Sequence, residues 1–179
     1  GKSTLLRILS DLIEPTTGQA EVNGKSPREA REAREFGVVF QAPNLLPWRT
    51  VLKNVTLPLQ VMKVDRADRA KTATDMLELV GLPGFERHHP WQLSGGMQQR
   101  VAIARALSMQ PSVLFMDEPF GALDEITRDR LNLELIRIWA QTSATIMFIT
   151  HSLTEAVFMS TQVAVMSARP GRITEVIDI

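Results

Sequence analysis

The sequence predicts an α/β protein with a mostly parallel sheet, helices on both faces of that sheet, and an inserted helical subdomain. After residue 110, short apolar runs alternate with amphipathic stretches, as they do in βαβ units. Residues 42–109 differ, because they are punctuated by prolines up to Pro58 and are helical afterwards. We therefore assign residues 1–41 and 110–179 to one core and residues 42–109 to a helical subdomain.

The elements of the first segment follow from apolar spacing. Residues 2–12 are predicted as a helix that ends before Pro15. Residues 19–23 alternate as a short strand, and residues 28–35 form a charged helical stretch. The run Phe-Gly-Val-Val-Phe-Gln at 36–41 is a compact apolar strand.

Later elements follow from the same patterns. In the subdomain we predict helices at 68–80, ending at Gly81, and at 97–109. The last segment is predicted to contain strands at 113–116, 145–150 and 162–167, helices at 125–142 and 152–159, and a strand-like run at 172–179. In open sheets of this kind, ligands bind at the carboxyl ends of the strands.

Composition excludes several classes of protein. The 179 residues include 20 basic and 20 acidic side chains, so no net charge attracts nucleic acid or an anionic membrane. There is no cysteine, which excludes a disulfide scaffold or a zinc ribbon. No apolar run approaches the roughly 18 residues of a membrane span. The chain opens on Gly1 without the basic and apolar regions of a signal peptide, and we expect it to be a fragment.

The tetrapeptide Gly1-Lys2-Ser3-Thr4 opens the first helix and matches the second half of a phosphate-binding loop. Backbone N–H groups at a helix N-terminus attract phosphate, an ammonium reaches the β and γ phosphates, and a hydroxyl ligates Mg²⁺. Lys2 and Ser3 supply the last two groups. The alternative is an ordinary helix start rich in serine and threonine.

Two carboxylates, Asp117 and Glu118, end the apolar strand that begins at Val113. An ionised group in such a place costs several kcal/mol unless a metal, water or a partner compensates it. Asp117 suits a Mg²⁺ shell, and Glu118 suits a general base for an attacking water. The alternative is a strand that has reached solvent.

The octapeptide Leu-Ser-Gly-Gly-Met-Gln-Gln-Arg at 93–100 is the most specific segment. Ser94 is a natural N-cap, and the paired glycines allow close backbone approach at the positive end of a helix. A capped helix with a flexible lead-in explains Ser94 and one glycine but not the whole octapeptide.

Together these motifs resemble the ATP-binding subunit of an ABC transporter, a P-loop NTPase, and the resemblance covers essentially the whole chain. It implies that ATP and Mg²⁺ bind and that ATP is hydrolysed between two subunits, each closing its signature segment over the other's nucleotide. Gln41 resembles the family's glutamine that senses Mg²⁺ and the attacking water and links the core to the helical subdomain. Asp124 resembles its interface loop, and His151 its switch histidine at the γ-phosphate.

The resemblance implies three sets of site residues. The catalytic residues are Glu118 and His151. The Mg²⁺ ligands are Ser3, Gln41 and Asp117. The nucleotide-binding residues are Gly1, Lys2, Ser3, Thr4, Gln41, Ser94, Gly95, Gly96, Gln98 and Asp124. The adenine-stacking aromatic, the front of the phosphate loop and its strand would lie upstream of Gly1, so we expect the 179 residues alone to bind ATP poorly.

The segments 44–55 and 167–173 are similar to the importer branch for nitrate, sulfonates, taurine and related solutes. The resemblance implies a homodimeric motor on the cytoplasmic face of the inner membrane, a permease and, indirectly, a solute-binding protein. Leu45, Leu46 and Trp48 are candidates for the permease contact, and their alternative is packing within the helical subdomain.

Two other functions remain open. A non-transport ABC ATPase would act on DNA or the ribosome, but long coiled coils, a second cassette and a basic surface are all lacking in this sequence. A degenerate cassette would bind nucleotide without hydrolysis, and the intact Asp117, Glu118, His151 and signature segment argue against it.

Overall fold

A computed structural model describes residues 1–179, the whole chain. Its helices and strands are, in chain order, α1 (Lys2–Leu9), α2 (Pro27–Glu32), β1 (Phe36–Val39), α3 (Val51–Val55), α4 (Leu57–Val61), α5 (Arg66–Leu79), α6 (Gly95–Leu107), β2 (Val113–Asp117), α7 (Glu125–Ala140), β3 (Thr145–Ile149), α8 (Leu153–Met159), β4 (Gln162–Met166) and β5 (Ile173–Asp178). None of these helices combines the length and apolarity needed to cross a membrane.

The central sheet is parallel and has the order β1-β2-β3. Phe36 pairs with Val113, and Val113 pairs with Thr145 on the other side. Strands β2 and β3 are joined through α7, and the long connection from β1 to β2 contains α3–α6. Because the strands are parallel, their carboxyl ends meet at one edge of the sheet.

Helices cover both faces of this sheet, as predicted. Side chains alternate along β2, so Leu114 and Met116 join a cluster of 20 buried apolar residues that includes much of α6. Phe115 points to the opposite face and packs in a smaller cluster with Phe36 and with Leu6 of α1. The rings of Phe36 and Phe115 are 5.2 Å apart between centroids.

The alternation of strands and helices predicted that the strand at 162–167 would join the parallel sheet. Strand β4 does not do so. It pairs antiparallel with β5 in a separate two-stranded sheet, with Gln162 opposite Asp178. The connection between them, residues 167–172, is short. Antiparallel strands are joined by such short connections, whereas parallel strands need a crossover of about a dozen residues or more.

The early elements are shorter than predicted. Helix α1 ends at Leu9, and Asp11 beyond it is left-handed, with a φ of 54°. Residues 19–23 form only an isolated bridge between Val22 and Lys25, because left-handed Asn23 and Gly24 turn the chain back at once. Pro58 lies in the first turn of α4, where its missing N–H costs no helical hydrogen bond.

Helix α6 approaches β1 closely. A Cβ atom on Gly37 would lie 3.1 Å from the Ala106 carbonyl oxygen and 3.2 Å from the Ala106 Cβ. Such distances are tighter than most Cβ contacts, so a larger residue at position 37 would have to push α6 and β1 apart by a few tenths of an ångström. The approach fixes α6 against the strand that leads to Gln41.

Candidate nucleotide-binding site

The carboxyl edge of the sheet brings together residues that are far apart in the sequence. Ser3 of α1 donates a hydrogen bond from Oγ to Asp117 Oδ1, over 2.9 Å. Lys2 Nζ donates to the Thr150 carbonyl at the end of β3, over 2.7 Å. Gly1 and Thr4 flank them at the start of α1 and are exposed. The half phosphate loop therefore lies directly against the ends of β2 and β3.

The two residues predicted as catalytic are in contact. His151 Nδ1 lies 3.1 Å from Glu118 Oε2, and their side chains are 61% and 26% exposed. Glu118 has a φ of 46°, in the left-handed region that a non-glycine residue enters at a cost. The turn at Glu118 is held by a hydrogen bond from its N–H to the Ile149 carbonyl, over 2.9 Å. Strain of this kind concentrates at functional sites.

Gln41 reaches the same edge from β1. A Cβ atom on Gly121 would lie 3.2 Å from Gln41 Nε2 and 3.4 Å from Glu118 Oε2. The Gln41 amide and the Glu118 carboxylate therefore lie near each other, on the same side of Gly121. Sequence reasoning missed this role of Gly121, although the glycine lies three residues before Asp124, which it compared with the family's interface loop.

The donor set suits Mg²⁺. Ser3 Oγ and Asp117 Oδ1 are already within hydrogen-bond distance of each other, and both are oxygen ligands. Mg²⁺ is usually bound through one or two carboxylates together with phosphates and waters, so a full cage of protein ligands is not expected. No group of three or more His, Cys, Asp or Glu side chains forms such a cage.

Helix α6 begins at Gly95, not at Met97 as predicted, so the paired glycines lie in its first turn and not in its lead-in. Ser94 caps the helix, and its Oγ accepts a hydrogen bond from the Met97 N–H, over 3.3 Å. Gly96 lies against α7, where a Cβ atom would be 3.3 Å from Leu131 Cδ1, and one on Gly95 would be 3.4 Å from Leu123 Cδ2. The paired glycines thus let α6 pack closely on α7 and its lead-in.

Gln98 uses its amide within its own segment. Its Nε2 donates to the carbonyls of Pro90 and Leu93, over 3.0 and 3.2 Å. These bonds tie the lead-in of the signature segment to the first turns of α6. The Gln98 side chain therefore stabilises the conformation of the signature segment.

Asp124 caps α7. Its Oδ1 accepts a hydrogen bond from the Thr127 N–H, over 2.9 Å. This backbone hydrogen bond is the largest cause that lowers the pKa of the Asp124 carboxyl below its ordinary value. A negative charge at a helix N-terminus also complements the helix dipole. Asp124 is thus held ionised on an exposed loop.

Glu155 is a buried carboxylate that sequence reasoning missed. It is 8% exposed and accepts hydrogen bonds from the hydroxyl of Thr150 and, over 3.4 Å, from Asn132 Nδ2. Arg128 Nε lies 3.9 Å from its Oε1. Glu155 therefore links α7 to the residue before His151. Its only sequence signal is its place one helical turn after that histidine.

The family profile described as "ABC transporter" matches residues 1–121. An uncharacterized ABC transporter ATP-binding protein of Methanocaldococcus jannaschii is 50% identical over the whole chain, which covers 66% of that protein. The taurine import ATP-binding protein TauB of Rhizobium johnstonii is 46% identical over the whole chain, which covers 68% of it.

A solved structure shares the fold. The chain superposes on cbiO1 from Clostridium perfringens, part of the ABC transporter complex cbiONQ, with a TM-score of 0.84 and 27% identity over 99% of this chain and 71% of that one. The chain thus spans about two thirds of the length of the curated relatives it matches. On the profile match and these identities, the chain belongs to the ATP-binding proteins of the ABC transporter family.

Proposed function

We propose that this protein hydrolyses ATP to power uptake of a small solute through a separate membrane permease. The observation that carries the proposal is the contact of Glu118 with His151, next to the Ser3–Asp117 pair at one sheet edge. A relative of similar sequence is named a taurine import protein. We therefore propose a solute of the taurine, sulfonate or nitrate type.

The residues at the sheet edge divide the chemistry between them. Lys2 brings an ammonium to the phosphates and leaves the Thr150 carbonyl when it does so. Ser3, Asp117 and Gln41 hold Mg²⁺, which offsets negative charge on the phosphates when it is bound. Gly1 and Thr4 supply backbone N–H groups at the start of α1.

Glu118 takes the proton of the attacking water as the bond between that water and the γ-phosphorus forms. The bond from the γ-phosphorus to the bridging oxygen breaks, and ADP leaves with that oxygen. In the tautomer that carries its proton on Nδ1, His151 donates to Glu118 Oε2 and orients the carboxylate. Gln41, whose amide lies on the same side of Gly121 as the Glu118 carboxylate, orients the same water.

The division into core and subdomain is part of the proposal. All five strands lie outside residues 42–109, and that range contains α3, α4, α5 and α6. We assign it to the helical subdomain that carries the signature segment. Ser94, Gly95, Gly96 and Gln98 act on the nucleotide of a second, identical subunit, with Asp124 at the interface.

The permease contact centres on Trp48. Its side chain is 72% exposed, which is unusual for tryptophan and typical of an interface anchor. Leu45 packs against the cluster of 20 buried apolar residues, so it attaches this surface to the core. Leu46 is half-buried. Through this contact the protein binds at the cytoplasmic face of the membrane.

The test is Glu118→Gln in the full-length protein. Removal of a general base lowers turnover by about a hundredfold or more, and an ATP-dependent dimer should accumulate on gel filtration. Glu78→Gln, the same change on exposed α5, is the control and should behave as wild type. Normal turnover of the Glu118 variant would refute the assigned role.

A further inference from the structure

Two side chains of α6 hold the chain segment on either side of Gln41. Gln99 Nε2 donates to the Phe40 carbonyl over 2.8 Å. Arg105 donates from Nη1 to the Asn44 carbonyl over 2.8 Å and from Nη2 to the Pro43 carbonyl over 2.9 Å. All three acceptors are main-chain carbonyls, so the bonds fix the path of the backbone.

The two donors differ in burial. Gln99 is 2% exposed, whereas Arg105 is half-buried, and its partial burial lowers the pKa of the guanidinium below its ordinary value. A buried amide or guanidinium is costly unless it is hydrogen-bonded, so each side chain is committed to its carbonyl partners. Bonds to a charged donor are also stronger than neutral ones. The segment 40–44 is therefore attached firmly to α6.

The opposite side of the segment carries the candidate chemistry. The Gln41 amide and the Glu118 carboxylate both lie beside Gly121, within 3.4 Å of the position that a Cβ atom would take there. Helix α6 itself begins at the signature glycines, Gly95 and Gly96. One rigid helix thus joins the signature segment at its N-terminus to the backbone of Gln41 through its later turns.

We propose that Gln99 and Arg105 are positioning residues that make Gln41 move with the signature helix. When the N-terminal end of α6 engages a nucleotide, the two side chains carry its displacement to Gln41 and so to the water beside Glu118. The inference rests on the proposed function, because it requires Gln41 to act on Mg²⁺ and water. It adds two residues that do not touch nucleotide.

Arg100 provides a matched control. It lies on the same helix and also donates to two main-chain carbonyls, those of Val80 and Gly81, over 3.2 and 3.3 Å. Those carbonyls belong to the two residues that follow α5, not to the segment that carries Gln41. Arg100 also pairs with Glu134 of α7 over 3.5 Å. Arg100→Ala therefore removes a similar pair of bonds and one ion pair from α6 without releasing Gln41.

The experiment compares Gln99→Leu, Arg105→Ala and Arg100→Ala in the full-length protein. For each we measure kcat, the KM for ATP and the Mg²⁺ concentration that gives half the maximal rate. Releasing Gln41 should lower kcat by about tenfold to a hundredfold, as a misplaced group does, and should raise the Mg²⁺ requirement severalfold. The KM for ATP should stay within about twofold of wild type, because Lys2 is untouched.

A loss of stability alone would lower the active fraction without changing the Mg²⁺ requirement. Arg100→Ala should therefore keep the wild-type Mg²⁺ requirement whatever it does to stability. Arg105→Lys, which keeps the charge and one donor, should recover part of the loss and provides a folded variant if Arg105→Ala does not fold.

Hydrogen exchange of the amides at 41–46, measured without nucleotide, tests the attachment independently of activity. We expect faster exchange in the Arg105 and Gln99 variants and wild-type exchange in Arg100→Ala. The inference would be overturned if the Gln99 and Arg105 variants had the same exchange rates as Arg100→Ala. It would also be overturned if they had the same Mg²⁺ requirement as Arg100→Ala. An inactive wild type would instead overturn the proposed function, and with it the coupling to Gln41.

Discussion

The hydrogen bonds of Asn54 predict how much stability the loop that carries Trp48 contributes to the fold. The side chain is fully buried, with 0% exposure, at the start of the helical region. Its Oδ1 accepts from the Leu46 N–H over 2.7 Å, and its Nδ2 donates to the carbonyls of Leu46, Arg49 and Thr50 over 3.1, 3.1 and 3.0 Å. One amide therefore closes the loop 46–50.

The loss of folding stability in Asn54→Leu depends on which backbone groups lose their only hydrogen-bond partner. The Leu46 carbonyl still accepts from the Arg49 N–H, and the Thr50 carbonyl still accepts from the N–H of residue 54. The Leu46 N–H and the Arg49 carbonyl have no second partner among these hydrogen bonds. Each polar group left unsatisfied costs about 1–3 kcal/mol, and half-burial of the loop lets water relieve part of it. We expect a loss of about 3 kcal/mol.

Urea unfolding followed by far-UV circular dichroism measures the change, with an unchanged m-value as the sign that only stability has altered. Asn54→Asp is the discriminating variant. It keeps an acceptor for the Leu46 N–H but turns an oxygen toward three carbonyls, so it should be at least as destabilising as Asn54→Leu. Wild-type stability in the aspartate variant, or a loss below about 0.5 kcal/mol for leucine, would refute the reasoning.

Two further predictions concern close packing and charge. Gly37→Ala places a Cβ atom 3.1 Å from the Ala106 carbonyl oxygen and from Leu114 Cδ1. Overpacking costs about 1–3 kcal/mol, partly offset by about 0.5–1 kcal/mol for replacing a strand glycine, so urea unfolding should show a net loss of about 1–2 kcal/mol. An equally stable variant would contradict the close approach of α6 and β1. The hydrogen bond from the Thr127 N–H lowers the folded-state pKa of Asp124. This carboxylate therefore stabilises the fold at pH values above its unfolded-state pKa. The stabilisation is lost as the pH falls through the folded-state pKa. The stability difference between wild type and Asp124→Ala, measured by urea unfolding, should therefore shrink in that acid range, and a difference independent of pH would count against the pairing.

Much of the fold could be predicted because its signals are local. The apolar run at 113–116 indicates a buried strand wherever it lies, and β2 spans Val113–Asp117. Helices α5, α6 and α7 were found from apolar spacing and caps, and their ends differ from the prediction by only a few residues. The motifs at 1–4, 117–118 and 93–100 predicted the family together, and the family profile matches residues 1–121. The roles of their residues stay predictions.

Other features depend on partners that are distant in the sequence. Strand β4 has the pattern of any short strand, and only the neighbouring β5 made it half of an antiparallel pair. Buried Gln99, Asn54 and Glu155 look in the sequence like ordinary polar residues of helices. Each of them forms hydrogen bonds with carbonyl or hydroxyl groups that only the fold brings within reach.

The sequence by itself determined the class of the fold and the chemical groups available, because periodicity and caps are properties of neighbouring residues. Its motifs also carried the resemblance to the family. Only the tertiary structure decided that Ser3 meets Asp117 and that Glu118 meets His151, 114 and 33 positions apart. It also decided that Gln99 and Arg105 hold the segment around Gln41. The physical reason is that parallel strands gather their carboxyl ends at one edge. Where a polar side chain is also buried, as Gln99 is, it needs a hydrogen-bond partner that only the fold supplies.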